Sequence, residues 1–391
     1  MIDGMINSAK ISALSNWLAA GAPPKRDFSD LIAEIGKRLN AAGLPIAQFG
    51  VYVTMLHSAL PGRLTFWTMA AGPRLSSLSP EQLRSGDLWI GTPAEVCMGT
   101  GRIINYLIGQ SPEFDSRTDS KQFSERGYTH IVCTPLHSGY TIANSTARYC
   151  TKQKGGFTDE EIHALRVIQA PLARVVEGFV LHEGTVQVLS TYVGRDAGSR
   201  VLEGNIMRGH TEQIPSIVLF SDLKNFTDRS NKQPASDVIE TLNVFYDIAE
   251  TAIGDNAGEI LKFMGDGLLA IFPTPDDLAA QNAASMGAID ALKDIRTGLS
   301  EVGRSDIQFR SALHLGDIYY GNIGSKTRLD FTAIGPTVNL AARLLSIAGE
   351  LGVDLVCSED FHLIAPERSS LLAEREFKGF DAPQPVYGVN A

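Results

Sequence analysis

Gly258 to Phe272 reads GEILKFMGDGLLAIF: two β-prone apolar runs, Ile260 to Met264 and Leu268 to Phe272, separated by Gly265-Asp266-Gly267. An Asp-Gly step between such runs is a strong local hairpin signal, so the stretch predicts a hairpin with Asp266 at its tip. Lys262 lies four residues earlier, near the end of the first strand. An ammonium and a carboxylate are thus offered close together on a rigid element. In isolation Asp266 would only make the turn and Lys262 would be a solvated strand residue. Their neighbours in the chain change that reading.

Upstream, Ile214 to Ser221 (IPSIVLFS) is a buried-strand run ending in Asp222, with Pro215 at the strand's start, where proline is tolerated. A second carboxylate therefore stands at a second strand end. Mg²⁺ takes one or two carboxylates and fills its shell with substrate phosphates, so this pair suits a divalent cation. Downstream, Arg328 to Arg343 reads RLDFTAIGPTVNLAAR. If Thr337 onward is helical, Asn339 and Arg343 share one helix face at i,i+4. An amide and a guanidinium so placed can bind a sugar oxygen and a phosphate oxygen; alone, such a pair is also compatible with a surface hydrogen bond.

Five blocks in order, FSDLKNFT, GEILKFMGDGLLAIF, FRSALHLGDIYYGNIGS, DFTAIGPTVNLAARL and FKGFDAPQPVYGV, resemble the class III nucleotidyl cyclase catalytic domain over about Ile214 to Val389. The resemblance implies a ferredoxin-like core and two-metal catalysis with Mg²⁺ or Mn²⁺, two per active site. It makes Asp222, Leu223 and Asp266 the metal-binding positions, Lys262 and Thr332 the base-recognition pair, Asn339 and Arg343 the transition-state pair, and Arg310 and Lys378 triphosphate contacts. It also implies a homodimer with active sites at the interface. Thr332 stands where many animal relatives carry Asp, a Lys with Thr combination that resembles a bacterial subtype. Pro336 replaces a common Asp or Asn, and proline is compatible with a helix start.

In the reaction that this family performs, the ribose 3′-hydroxyl attacks the α-phosphorus and pyrophosphate leaves, so no side-chain nucleophile is required. Adenine presents an acceptor at N1 and a donor at its 6-amino group; Lys262 can donate to the first and Thr332 accept from the second. Guanine reverses both. ATP is therefore the expected substrate and an adenylate cyclase the expected enzyme. The alternatives are a guanylate cyclase and a non-catalytic nucleotide-binding regulator.

With 391 residues, the chain is long enough for two domains and a connector. Its composition, 44% hydrophobic and 20% charged, is that of a globular protein, and a net charge of −10 argues against a nucleic-acid partner. Cys97, Cys133, Cys150 and Cys357 are scattered without a CxxC pair, which suggests a reducing, cytoplasmic setting. Cys97, Cys133 and Cys150 could each be a redox thiol or a buried structural cysteine. The apolar patch at Leu14 to Ala20 is interrupted and short, so no membrane association is expected.

In the N-terminal half, Leu31, Ile32, Ile35 and Leu39 have helical spacing, Ile46 to Leu56 and Arg63 to Met69 read as one strand pair, and Tyr128 to Pro135 with Tyr140 to Tyr149 as another. With the helix start at Phe157 to Glu161, this order resembles a GAF-type sensor, whose signal, a small molecule or a protein, the residues do not name. Trp67, Trp89, His57, His130 and His137 are its candidate ligand contacts, each equally readable as structural. Leu165, Ile168, Leu172, Val175, Phe179, His182, Val186, Leu189 and Val193 alternate by three and four. They fit a parallel coiled coil or a helix packed on its own domain, with Pro171 expected to interrupt it. The expected organisation is α+β: an N-terminal extension (1–26), a GAF-like α/β sensor (27–160), a helical linker (161–213) and the cyclase domain (214–391).

Overall fold

The structure, a computed structural model, describes residues 6–24, 27–54, 62–79, 81–82, 89–139, 145–275, 277–377 and 380–390. The chain divides into two compact units, Met1–Val188 and Leu189–Ala391.

The first unit holds α1 (Ser8–Ala19), α2 (Phe28–Ala41), β1 (Gln48–Thr54), β2 (Gly62–Thr68), β3 (Gly72–Leu78), α3 (Pro93–Thr100), β4 (Ile104–Leu107), α4 (Pro112–Asp115), α5 (Thr118–Glu125), β5 (His130–Leu136) and β6 (Ser145–Thr151), and is followed by α6 (Asp159–Val193). Its antiparallel sheet has the order β3-β2-β1-β6-β5-β4. Strand alternation divides the side chains between two clusters. Phe49, Val51, Val132, Ala147 and Tyr149 meet α1, α2 and α6, whereas Tyr52, Ile131, Cys133 and Cys150 meet α3 and Phe114. Helix α2 starts where Asp27 caps the N–H of Asp30, and it buries Leu31, Ile32, Ile35 and Leu39 as its spacing requires.

Helix α6 runs unbroken through Pro171. Leu165, Ile168, Leu172, Val176 and Val180 are buried in the first unit's core, with Val175 and Phe179 packed against it. The first half of the heptad is therefore used within its own unit, while His182 is exposed and Val186, Leu189 and Val193 are half-buried.

The proposed sensor contacts divide by environment. Trp67 fills the core at 4% exposure, Trp89 packs against Tyr52, His137 is exposed, and His57 lies outside the described residues. His130 is buried and satisfied on both nitrogens: Nδ1 accepts the N–H of Phe157 at 2.9 Å, so Nε2 carries the proton, facing Asn105. The structural reading accounts for it. All four cysteines are free and buried, and burial pushes Cys97 and Cys150 up to about 11, which leaves little reactive thiolate near neutrality.

In the second unit, α7 (Arg195–Leu202) leads to β7 (Thr211–Leu223), α8 (Phe226–Lys232), α9 (Ala235–Asp255), β8 (Glu259–Met264), β9 (Gly267–Pro273), α10 (Leu278–Glu301), β10 (Phe309–Gly324), β11 (Leu329–Ile334), α11 (Pro336–Leu351), β12 (Leu355–Cys357), α12 (Glu359–Ile364), β13 (Ser369–Arg375) and β14 (Gln384–Val389). The sheet order is β13-β14-β12-β10-β7-β9-β8, with β11 paired to β10. The sequence β7-α9-β8-β9-α10-β10 in spatial order β10-β7-β9-β8 is the ferredoxin-like arrangement expected. β12 joins parallel to β10, so the sheet is mixed. Helices α9 and α10 cover one face through Phe245, Ile253, Ile289 and Leu292; α11 covers the other through Val338, Ala341, Leu344 and Ile347.

One local expectation is corrected: β7 begins at Thr211, three residues before Ile214. Within the stretch read as a helical linker, α7 is a separate short helix held by tertiary contacts. Asp196 N–H donates to Glu259 Oε1 at 3.1 Å, and Arg200 reaches Asp196 at 2.6 Å and Glu212 at 2.8 Å while lying over the Tyr320 ring. Burial raises the Glu259 carboxyl's pKa.

Buried histidines predict an acid sensitivity of the fold. Burial lowers His130 and His314 from the ordinary 6.5, the nearby Asp360 only partly opposing this at His314. A depressed histidine leaves stability intact above the unfolded-state value and erodes it below, because there the unfolded chain binds the proton that the folded ring refuses. Melting temperatures of both units are expected to fall from about pH 7 to about pH 5.5, with a smaller slope for the first unit in His130→Gln. Calorimetry across that window checks this; equal slopes in variant and wild type would remove His130 from the account.

Candidate active site

Met264 pairs with Gly267, so the hairpin turn is Gly265-Asp266 and Gly267 already belongs to β9. The turn is therefore Gly-Asp rather than Asp-Gly. Gly265 takes φ +69°, the conformation that a two-residue turn beginning with glycine needs. Tyr246 fixes it from α9 by donating to Gly265 O at 2.6 Å. Gly267 lies against β7 so closely that a Cβ would sit 2.5 Å from Ser221 O. That approach pairs Gly267 with Asp222 and lets Leu223 N–H donate to Asp266 O at 3.2 Å. The two candidate metal carboxylates consequently come from adjacent strand ends.

Asp222 is half-buried and also pairs across β7–β10 with Arg310, whose Nε donates to Asp222 Oδ1 at 2.7 Å. Burial raises the Asp222 pKa; Arg310 opposes that shift, and the Asp266 charge adds to it. A carboxylate whose ionisation is disfavoured by burial and by a neighbouring carboxylate suits a hard divalent cation. Among the described residues no group of three or more His, Cys, Asp or Glu could hold a metal. The metal positions that the resemblance implies are thus present as the pair Asp222 and Asp266, to which Leu223, its side chain buried at 4% exposure, could add only a backbone carbonyl. Arg310 is also tied to α11: a Cβ on Gly349 would collide with its guanidinium.

Lys262 sits on β8, the edge strand, where a long charged side chain is tolerated. It registers with Leu269, which registers with Phe220, so it faces the α11 side of the sheet. Its ammonium donates to Asp330 Oδ2 at 3.1 Å. Sequence reasoning missed Asp330; its signal was its position two residues before Thr332, which puts both on one face of β11. Thr332 is half-buried. Helix α11 begins at Pro336, as the proline permits, behind Gly335 at φ +137°. Asn339, exposed, and Arg343, half-buried, follow on one helical face. Lys378 lies outside the described residues.

Residues 210–374 match the family described as the adenylate and guanylate cyclase catalytic domain. The chain is 30% identical over 194 residues to an uncharacterized protein of Mycobacterium tuberculosis, the match covering 49% of this chain and 35% of that protein. It is 28% identical over 195 residues to the adenylate cyclase of Anabaena cylindrica, covering 48% and 39%. The chain thus spans less than two fifths of the length of these curated relatives. Among solved structures, the adenylyl cyclase CyaB from P. aeruginosa is similar at 26% identity and a TM-score of 0.40, over 46% of this chain and 95% of that one. No described helix is long and apolar enough to cross a membrane. The strand-end carboxylate pair lies within the matched residues 210–374, and the second unit is thus similar to the adenylate and guanylate cyclase catalytic domain.

Proposed function

We propose that this chain is an adenylate cyclase that converts ATP to 3′,5′-cyclic AMP and pyrophosphate, working as a homodimer in the cytoplasm. The observation that carries the reading is the meeting of Asp222 and Asp266 at adjacent strand ends, on a sheet that also presents Lys262. Mg²⁺ or Mn²⁺, when bound, supplies Lewis acidity to the 3′-hydroxyl and to the leaving phosphates. Asp222 and Asp266 provide the anionic seat. Arg310, beside Asp222, meets the triphosphate. Arg343 offsets charge growing on the α-phosphate, and Asn339 orients the ribose. Lys262 donates to adenine N1 and Thr332 accepts from the 6-amino group. The first unit is read as a GAF-like sensor for a small-molecule or protein signal. The four free cysteines favour a reducing compartment.

The test is turnover of ATP and of GTP by the purified chain with Mg²⁺ or Mn²⁺, beside the double variant Lys262→Glu with Thr332→Cys. Reversing donor and acceptor should lower ATP kcat/KM by roughly 10²-fold and admit GTP, since each buried base contact discriminates by about tenfold or more. Wild-type preference for GTP would replace ATP in this reading, and an unchanged ATP rate in the variant would remove Lys262 from base recognition.

A further inference from the structure

Lys262 is a flexible residue with a demanding task under the reading above, on which this inference rests. Its ammonium must stand at one edge of a purine, yet a lysine stem keeps several rotatable bonds and loses much freedom when ordered. In the structure the ammonium is not loose: it is held by Asp330 at 3.1 Å, from a strand that is not its neighbour in the main sheet path. Both side chains are about half exposed, 47% and 48%, so the pair adds little to stability, and stability does not account for its placement. What the pair does is join β8 to the face of β11 that carries Thr332, two residues from Asp330.

We propose that Asp330 is the positioning residue for base recognition: it orders the Lys262 ammonium beside Thr332, so that donor and acceptor stand at a fixed separation before the nucleotide arrives. An ammonium has three N–H groups, and one hydrogen bond to Asp330 leaves two for the base. Asp330 itself need not touch the nucleotide. Its contribution is the ordering of one rotamer-rich side chain, which would otherwise be charged against binding.

The experiment uses the full chain and compares wild type, Asp330→Asn, Asp330→Glu, Lys262→Ala and the Lys262→Ala/Asp330→Asn double variant. Asp330→Asn is expected to raise KM for ATP roughly three- to tenfold with kcat nearly unchanged, and to lower the ATP:GTP ratio of kcat/KM by a similar factor. Affinity for 3′-deoxy-ATP, which lacks the attacking hydroxyl, should weaken in parallel. Asp330→Glu should restore most of the loss, and the double variant should be no worse than Lys262→Ala, because the carboxylate acts only through the ammonium. Thermal melts should be superimposable, as the site is exposed. Wild-type KM and base preference in Asp330→Asn, with both altered in Lys262→Ala, would overturn the proposal while leaving the cyclase reading intact. A double variant clearly worse than Lys262→Ala would also overturn it, since Asp330 would then act on its own. No turnover of ATP or GTP by the wild-type chain would overturn both readings.

Discussion

Asp222→Ala and Asp266→Ala chains are expected to lose metal-dependent cyclic AMP formation by roughly 10²- to 10³-fold or more while keeping their fold. The two carboxylates are the described acidic groups at the junction of β7 with the β8–β9 hairpin, so neither loss can be covered by a neighbour. Asp222→Ala has a second effect: Arg310 loses the acceptor at 2.7 Å and its cation is left in a half-buried notch. Burial already opposes ionisation of Asp222, so the carboxylate contributes little to folding by itself and its removal should be tolerated. Asp266 lies in the hairpin turn, which is set by Gly265 and held by Tyr246 through a backbone carbonyl, so its side chain can be removed without remaking the turn. Activity titrated with Mg²⁺ and Mn²⁺, alongside far-ultraviolet circular dichroism and melting curves, checks this. Near wild-type activity at ordinary metal concentration in either variant would refute the assignment of that carboxylate.

Mixing two inactive chains should restore about a quarter of wild-type activity. The proposed homodimer takes its metal-binding carboxylates from one chain and its base and transition-state contacts from the other. Asn339 and Lys262 are exposed on the single chain and therefore available to a partner. Asp222→Ala and Asn339→Ala dimers each carry lesions in both sites. In a mixed dimer both lesions fall in one site and the other is intact. Random pairing makes half of the dimers mixed, each with one working site of two, hence the quarter. Cyclic AMP production after co-expression, with subunit exchange confirmed by differently tagged chains, is the measurement. Proven exchange without recovery would place the whole site within one chain or make its two halves interdependent.

The elements that local chemistry specifies were legible beforehand. The Gly265-Asp266-Gly267 hairpin, the helix starting at Pro336 and the strand that carries Asp222 next to its last residue each depend on residues adjacent in sequence, and the ferredoxin-like order followed from the resemblance. Other features depend on partners distant in the chain. Strand β3 (GPRLSSL) went unseen because its exposed, glycine- and serine-containing edge carries no apolar alternation. The heptad was ambiguous for a geometric reason: a stripe spaced by three and four fits a second helix or a domain's own core equally well. Residues Leu165 to Leu172 chose the core. Arg310 and Asp330 sit 88 and 68 positions from the groups that they bind, beyond the reach of any local pattern.

Helix α7 begins at a bond whose thermodynamics run in both directions. Asp196 N–H is held by Glu259, three residues before Lys262 on the same strand. Whatever free energy the docking of α7 contributes to nucleotide affinity must reappear, with equal size, as a contribution of bound nucleotide to the docking of α7. Under the proposed reading, a bound nucleotide is in that sense also an effector of the helix upstream, and the substrate concentration in the cell would enter the set point of any signal that arrived through it.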